Sequence, residues 1–193
     1  MSGFGLSSEA YRDQPAVAKR RSNIMNETLE TMWKRKSIRK YKSDPIPEGD
    51  LNLILEAARR APTGGNRQKW RMVVITDADL RKSTAEACNN QMWMAEAPVI
   101  LCLVTEPGEG KVNGTIVLDH AILAATSLGY GTCWVGARDE AKVKDVLGIP
   151  EDHGIICLTQ VGLSADQPRD RPRKPPAELF MKERFGSPLD YSL

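Results

Sequence analysis

Residues 115–136 read TIVLDHAILAATSLGYGTCWVG and contain two kinds of pattern. The first, 115–128, is apolar at nearly every position apart from Asp119 and His120, which is typical of a buried helix. The second, 132–135, is a short run of strand-forming residues that follows two glycines. A buried helix that passes through glycines into a strand predicts a domain built from layers of helices and strands.

The remainder of the chain alternates between strand-like and helical patterns. Strands are predicted at 70–76, 98–104 and 155–161, and the second is apolar throughout, as expected for a strand covered on both faces. A first helix is predicted from near Asn26, with an apolar stripe of Leu29, Met32 and Trp33. A second is predicted after Pro47, a third from Asp77 or Asp79 to about Cys88, and another over 139–147. Residues 105–114 (TEPGEGKVNG) are rich in turn formers and are expected to form a mobile loop.

The composition indicates one folded domain and argues against several classes of protein. The chain has 193 residues, 41% of them hydrophobic, and a net charge of +2, which is too balanced for a general nucleic-acid or membrane binder. The longest apolar run, 98–104, is far shorter than the roughly 20 residues of a membrane span. Residues 1–24 are polar, so we expect an N-terminal extension without a secretory signal, a domain over 25–193 and a cytoplasmic location.

The cysteines are too far apart for a zinc knuckle or a Cys-x-x-Cys redox pair, since no two lie closer than 14 positions. They are Cys88, Cys102, Cys133 and Cys157. Two lie in strand-like runs, so buried free thiols are expected rather than disulfides. With 2 histidines and no ligand spacing, no metal site is expected.

A basic segment, Lys34-Arg35-Lys36-Ser37-Ile38-Arg39, lies at the end of the first predicted helix. Its two arginines offer forked donors, and Lys36 and Ser37 add a charge and a hydroxyl, so the segment can bind a phosphate. The alternative is a solvated basic helix end that interacts with the helix dipole. A second cationic segment, Arg171-Pro172-Arg173-Lys174-Pro175, follows the last predicted strand as a stiff turn, which taken alone is typical of a solvated tail.

Two further segments carry glycines beside polar or strand residues. In Ala61-Pro62-Thr63-Gly64-Gly65-Asn66-Arg67-Gln68-Lys69-Trp70 the glycines allow close approach to a flat ligand, and the amides of Asn66 and Gln68 match a heteroaromatic edge. The alternative is an ordinary helix-to-strand loop. Gly129-Tyr130-Gly131-Thr132-Cys133-Trp134-Val135-Gly136 lacks the third glycine and the strand-then-helix order of a dinucleotide fingerprint, although its strand end can present backbone N–H groups to a ligand.

In this order, the four segments resemble the signature blocks of the nitroreductase family of FMN-dependent flavoproteins. Arg35-Lys36-Ser37-Ile38-Arg39 is similar to that family's Arg-Arg-Ser-x-Arg, and 61–70 to its Ala-Pro-Ser-x-x-Asn-x-Gln-Pro-Trp. Residues 129–136 are similar to its Gly-x-Gly-x-Cys-Trp-x-Gly, and 171–175 to its Lys/Arg-x-Arg-x-Pro turn. The resemblance implies an α+β fold, with a mixed and mainly antiparallel sheet flanked by helices, and a homodimer with FMN at its interface.

The resemblance also implies, position by position, which residues contact FMN. The phosphate and ribityl chain would be held by Arg35, Lys36, Ser37, Arg39, Arg171 and Arg173. The ring edge would be contacted by Asn66 and Gln68, with Thr63 and Gly64 as further cofactor contacts beside them. The ring itself would lie against Cys133, Trp134, Val135 and Gly136. Lys69, where the family usually has proline, and Trp93 are the candidate substrate contacts.

The activity implied is that of an oxidoreductase. NADH or NADPH would reduce FMN by hydride transfer and leave before a small nitroaromatic, quinone or similar acceptor takes the electrons, which gives ping-pong kinetics. Family members usually have a longer stretch where this chain has 105–114, so a more open flavin face is expected. Three alternatives stay open: a flavin-binding protein without nicotinamide-linked turnover, a flavin-dependent dehalogenase or fragmentation enzyme, and a phosphate- or nucleic-acid-binding module.

Overall fold

The computed structural model describes residues 26–168 and 170–191, so the predicted extension 1–24 lies outside the described residues. One four-stranded sheet forms the centre of the domain, and its strand pairs are antiparallel. The strands are β1 (Trp70–Ile75), β2 (Val99–Thr105), β3 (Trp134–Val135) and β4 (Gly154–Val161), in the order β1-β2-β4-β3. Helices flank this sheet, and the predicted α+β class is therefore confirmed.

Six helices are described in the structure, and three of them begin at a capping side chain. They are α1 (Glu27–Lys34), α2 (Glu48–Arg59), α3 (Ala78–Ala87), α4 (Lys111–Ser127), α5 (Glu140–Leu147) and α6 (Pro176–Leu179), with short 3-10 turns at Gly64–Asn66 and Met92–Glu96. Asn26, Asp77 and Asp139 each accept a hydrogen bond from the backbone N–H three residues on, which satisfies one free donor at each helix start. Gly148 ends α5 at a φ of 64°, a left-handed conformation that suits glycine.

The core lies on both faces of β2, which is buried along its whole length. On one face Leu101 and Leu103 pack against α2 and α4, and on the other Ile100 and Cys102 pack against α3 and α5. The prediction that this strand is covered on both faces is confirmed. In the part of the chain that the structure describes, no helix has both the length and the apolar character needed to cross a bilayer.

The helix predicted over 115–128 starts earlier, because α4 begins at Lys111. Gly114, which reads as a loop residue in sequence, lies inside this helix. A Cβ at that position would stand 2.7 Å from Ile156 Cγ1 and 3.3 Å from Leu103 Cδ2, so glycine lets the helix approach the sheet closely. The loop prediction for 105–114 is therefore wrong at both ends, and 106–110 alone join β2 to α4.

Candidate cofactor-binding site

The basic segment after α1 pairs with the residues that flank β3 and β4. Ser37 forms a parallel bridge with Thr132, through a 2.9 Å hydrogen bond from the Ile38 N–H to the Thr132 carbonyl. Tyr41 forms an antiparallel bridge with Ser164, which follows β4. The segment thus lies between the residues that precede β3 and those that follow β4, and its course is set by the backbone.

Buried side chains hold this segment in place. The Tyr41 hydroxyl donates a 2.8 Å hydrogen bond to the Ile38 carbonyl, and burial raises the pKa of Tyr41, so the hydroxyl stays protonated as a donor. Glu96 accepts a hydrogen bond from the Tyr41 N–H at 3.3 Å. The Arg39 guanidinium lies 6.0 Å from the centre of the Trp93 ring. Trp93, predicted as a substrate contact, therefore also contacts a residue of the predicted phosphate site.

A cavity of about 890 Å³ opens beside the segment and gathers charged residues from both ends of the described chain. It is lined by Met32, Trp33, Arg35, Lys36, Ser37, Arg39, Asp166, Pro168, Asp170, Arg171 and Arg173. Every residue predicted to hold a phosphate is in this set, although the two cationic segments are more than 130 positions apart in sequence. The set of donors, with four guanidinium groups, an ammonium and a hydroxyl, suits a phosphate dianion.

Two carboxylates in this cavity were not anticipated from the sequence. Asp170 forms a 2.7 Å ion pair with Lys36, and the pKa of Asp170 is lowered by this hydrogen-bonded ammonium. Asp166 lines the same cavity. Across residues 26–168 and 170–191, no carboxylate lies within ion-pairing distance of the four arginines of the cavity, so their charges are available to a ligand. The position of Asp170 next to Arg171 is the one sequence signal that could have indicated it.

The predicted ring contacts at β3 vary in exposure. Cys133 and Val135 are buried, Trp134 is half-buried and Gly136 is exposed. Burial raises the pKa of the Cys133 thiol, while the nearby Arg39 opposes that shift. The thiol is therefore protonated at neutral pH. All four cysteines are buried and free, as predicted.

The loop that carries the predicted ring-edge contacts is fixed by its own polar groups. Thr63 Oγ1 accepts a 3.1 Å hydrogen bond from the Gln68 N–H, and the Gln68 amide donates to Asn66 Oδ1 at 3.1 Å. The Gly64 N–H donates to Asn113 of α4 at 3.0 Å. Asn66 and Gln68 have φ values of 54° and 52°, a left-handed conformation that is uncommon for glutamine and is often found at functional sites.

Within one chain this loop and the cavity lie at opposite ends of the sheet. Trp70, which follows the loop, pairs with Thr105 at one end of β2. Val99, at the other end, pairs with Val161, next to the Gly131–Gly162 bridge and the basic segment. The length of β2 separates the two regions by about 20 Å along the strand direction. The structure thus brings together the predicted phosphate contacts but does not bring Asn66 and Gln68 to them.

Comparison with known proteins shows which family this arrangement belongs to. The model of the Nitroreductase family matches residues 33–106 and 85–163 of the chain. Because these ranges together span more than half of the sequence, the chain belongs to the nitroreductase family. The resemblance found in the four sequence segments is confirmed.

Individual relatives match the chain over most of their length. A Thermus thermophilus protein named NADH dehydrogenase is 32% identical, and the match covers 69% of this chain and 85% of that protein. A Bacillus subtilis protein named FMN reductase (NAD(P)H) is 26% identical, over 83% of this chain and 75% of its own. The structure of NADPH:FMN oxidoreductase from Vibrio harveyi, complexed with NAD+, is 25% identical with a TM-score of 0.79, and the match covers 84% of this chain and 79% of that chain.

Proposed function

We propose that the chain is a flavoenzyme that transfers hydride from NADH or NADPH, by way of FMN, to a small nitroaromatic, quinone or similar conjugated acceptor with ping-pong kinetics. The coarser part of this statement, an NAD(P)H-dependent oxidoreductase that uses FMN, is confirmed by the names of the relatives described above. The acceptor, the kinetic order and the cytoplasmic location stay predictions.

The observation that carries the proposal is the cavity with its cations from both ends of the described chain. FMN ends in a phosphate dianion, and Arg35, Lys36, Arg39, Arg171 and Arg173 supply charge-assisted donors around one open cavity. The volume of about 890 Å³ lies in the range of cofactor pockets. The residues present therefore fit the cofactor at its phosphate end. When bound, FMN supplies the hydride chemistry, which no side chain of the site provides.

Each region of the chain has a separate task in this proposal. The cationic cavity holds the phosphate, and the edge of β3 supplies backbone donors beside the ring. The Asn66 and Gln68 amides bind the ring edge from the loop, where their positions are fixed by internal hydrogen bonds. The short connection 106–110 leaves the ring accessible to more than one acceptor.

In this proposal the two parts of the site come from different chains, because the loop and the cavity of one chain lie about 20 Å apart along the sheet. A second copy that presents its loop to the first copy's cavity would complete it, and two-fold symmetry would then give two equivalent sites. This geometry supports a homodimer with FMN at the interface.

The exposed apolar surface also supports a dimer. The stripe of α1 is not buried within the chain: Met32 is 48% exposed and Trp33 is 59% exposed, and both line the cavity. At the other end of the described chain Phe180 and Phe185 are 45% and 98% exposed. Apolar groups of this size, left open to water, support a protein interface, and we expect it to bury about 2,000 Å² or more, as in obligate dimers.

The proposal is tested by asking which chain supplies each contact. Arg173→Ala removes a phosphate donor and Gln68→Ala removes a ring-edge amide, so each homodimer should bind FMN poorly. Co-expressed in equal amounts, the two variants form mixed dimers in which one site has both wild-type parts, and about a quarter of all sites should recover FMN. Recovery absent from the mixture would contradict the shared site, whereas full FMN retention by Arg173→Ala would contradict the phosphate assignment.

Turnover is tested separately from cofactor binding. The purified protein should be yellow, and anaerobic titration with NADH and NADPH should bleach the flavin before any acceptor is added. A yellow protein that neither nucleotide reduces would favour the flavin-binding alternative without nicotinamide-linked turnover. A colourless protein with salt-sensitive affinity for polyanions would favour the phosphate- or nucleic-acid-binding module.

A further inference from the structure

The backbone that leaves β3 directs its N–H groups toward an open edge of the sheet. Gly131 and Gly162 exchange two hydrogen bonds, of 2.8 and 3.3 Å, so they form a hydrogen-bonded pair of the antiparallel ladder. In an antiparallel ladder every second residue pair is hydrogen-bonded, so Val135 and Leu158, four positions further along, form a hydrogen-bonded pair too. The Val135 carbonyl therefore points to β4. Because the peptide is planar and trans, the Gly136 N–H points the opposite way, to the open edge.

Arg138 holds the next carbonyl, that of Gly136, on the side of β4 as well. Arg138 Nη1 donates to the Gly136 carbonyl at 3.1 Å, and Nη2 donates to the Ile155 carbonyl of β4. The Arg138 side chain is 9% exposed and also pairs with Glu140 at 2.9 Å, so its position is well fixed. The Ala137 N–H consequently also faces the open edge. Two successive N–H groups then point to one side, where both can donate to the same ligand.

The far side of this turn is anchored to α3. The Gln91 side-chain amide donates to the Ala137 carbonyl at 2.8 Å and to the Cys88 carbonyl at 2.8 Å. The Asp139 N–H donates to the Ala87 carbonyl at 2.9 Å. Residues 136 and 137 are exposed, and among the described residues neither N–H donates a backbone hydrogen bond.

We propose that Arg138 is a positioning residue that turns the Gly136 and Ala137 N–H groups together toward the open edge of β3, where they donate to the flavin ring. The inference rests on the proposed function, since it takes this edge as the ring's neighbour. Preorganised N–H donors are most effective where negative charge develops, and the flavin ring gains negative charge on reduction. The buried guanidinium also polarises the Gly136 peptide and strengthens the Ala137 donor. Arg138 therefore raises the midpoint potential of the bound flavin without touching it.

The test measures the midpoint potential of bound FMN against a reference dye, together with FMN affinity. Arg138→Met keeps the packing of the aliphatic stem and removes the donors. The affinity of Arg138→Met for reduced FMN, relative to its affinity for oxidised FMN, should fall about tenfold. For a two-electron couple this lowers the midpoint potential by about 30 mV. Lys142→Met is the matched control, because it removes an exposed cation of α5 that pairs with Asp139 and does not contact residues 136 or 137. Its potential should equal that of the wild type.

A second variant keeps the test valid if Arg138→Met does not fold. Gln91 is half-buried, and Gln91→Met releases the Ala137 carbonyl from the other side, so a smaller shift in the same direction is expected. Unchanged potentials in the variants that fold, or an equal shift in Lys142→Met, would overturn the proposal. A wild-type protein that binds no FMN would instead contradict the proposed function, and this is seen in its visible spectrum before any variant is made.

Discussion

Gly131 packs directly against Ile38, and a Cβ at Gly131 would stand 2.6 Å from Ile38 Cγ1 and 2.9 Å from its Cβ. Ile38 lies between Ser37 and Arg39, two of the residues that line the cationic cavity. The absence of a side chain at Gly131 therefore allows the basic segment to pair with Thr132 at the distance that the 2.9 Å hydrogen bond requires. This contact couples the strand beside the proposed ring site to the proposed phosphate site.

We expect Gly131→Ala to displace the basic segment and weaken FMN binding. Overpacking a close backbone contact typically costs about 1–3 kcal/mol. The loss of one well-aligned phosphate donor corresponds to roughly tenfold weaker binding. Gly49→Ala is the control, since a Cβ at Gly49 meets nothing within 4 Å and Gly49 is an exposed residue in the first turn of α2. Fluorescence titration with FMN and urea unfolding measure both effects. Wild-type FMN affinity in Gly131→Ala would contradict this account.

A second prediction concerns the carboxylate inside the phosphate cavity. Asp170 holds Lys36 at 2.7 Å, so it competes with a phosphate dianion for the same ammonium. Asp170→Asn should tighten FMN binding by about two- to fivefold, the range expected for an exposed ion pair. Riboflavin has no phosphate, and its affinity should not change. Isothermal titration of both ligands makes the comparison, and tighter binding of riboflavin as well would show that the effect does not act on the phosphate.

Much of the fold was accessible from the sequence because its signals are local. The continuous apolar run gave β2, and Asn26 and Asp77 mark helix starts through their own side chains. Gly114 was misread because its role depends on Ile156, which is distant in sequence, and a helical glycine looks like a loop residue when that partner is unknown.

In the candidate site, too, local sequence signals could be read and contacts between distant residues could not. The cations were found from their spacing, whereas Asp170 and Trp33 line the cavity only because the chain folds two distant segments together. The exposed stripe of α1 is an amphipathic pattern that looks the same whether its apolar face packs in the chain's own core or against another surface. A sequence pattern reports that a face is apolar, and the identity of what covers it depends on the tertiary and quaternary arrangement.

A third prediction concerns Tyr130, which starts the turn into β3. Its hydroxyl donates a 2.5 Å hydrogen bond to Asp50 in the first turn of α2, and this bond raises the pKa of Tyr130 to about 12. The folded-state pKa thus lies above the unfolded value of about 10. The stabilisation is fully present below pH 10 and is lost as the pH rises toward 12.

Tyr130→Phe should therefore lower the free energy of unfolding at pH 7 by about 1 kcal/mol and should remove this part of the alkaline dependence. Asp50→Asn should have a similar effect at pH 7, and the double variant should cost less than the sum of the two, because both changes remove the same bond. Urea unfolding of the four proteins at pH 7 and pH 11 measures this cycle. Additive effects of the two substitutions would contradict a direct coupling.

The last prediction concerns Lys69, which stands where the family usually has proline. Its side chain is exposed, and its carbonyl accepts a hydrogen bond from the Glu106 N–H at 3.3 Å, so the residue is held by its backbone while its ammonium faces solvent. Lys69 directly follows Gln68, and its charge lies beside the proposed ring-edge contacts.

Such a charge acts on the encounter with an anionic acceptor rather than on hydride transfer. Lys69→Met should raise the KM for a negatively charged acceptor severalfold, leave kcat nearly unchanged and reduce the salt dependence of kcat/KM. Lys82→Met, which removes an exposed charge from α3, should change neither constant. Steady-state assays with one anionic and one neutral acceptor decide the matter, since equal changes for both acceptors, or none, would mean that the Lys69 ammonium has no part in acceptor binding.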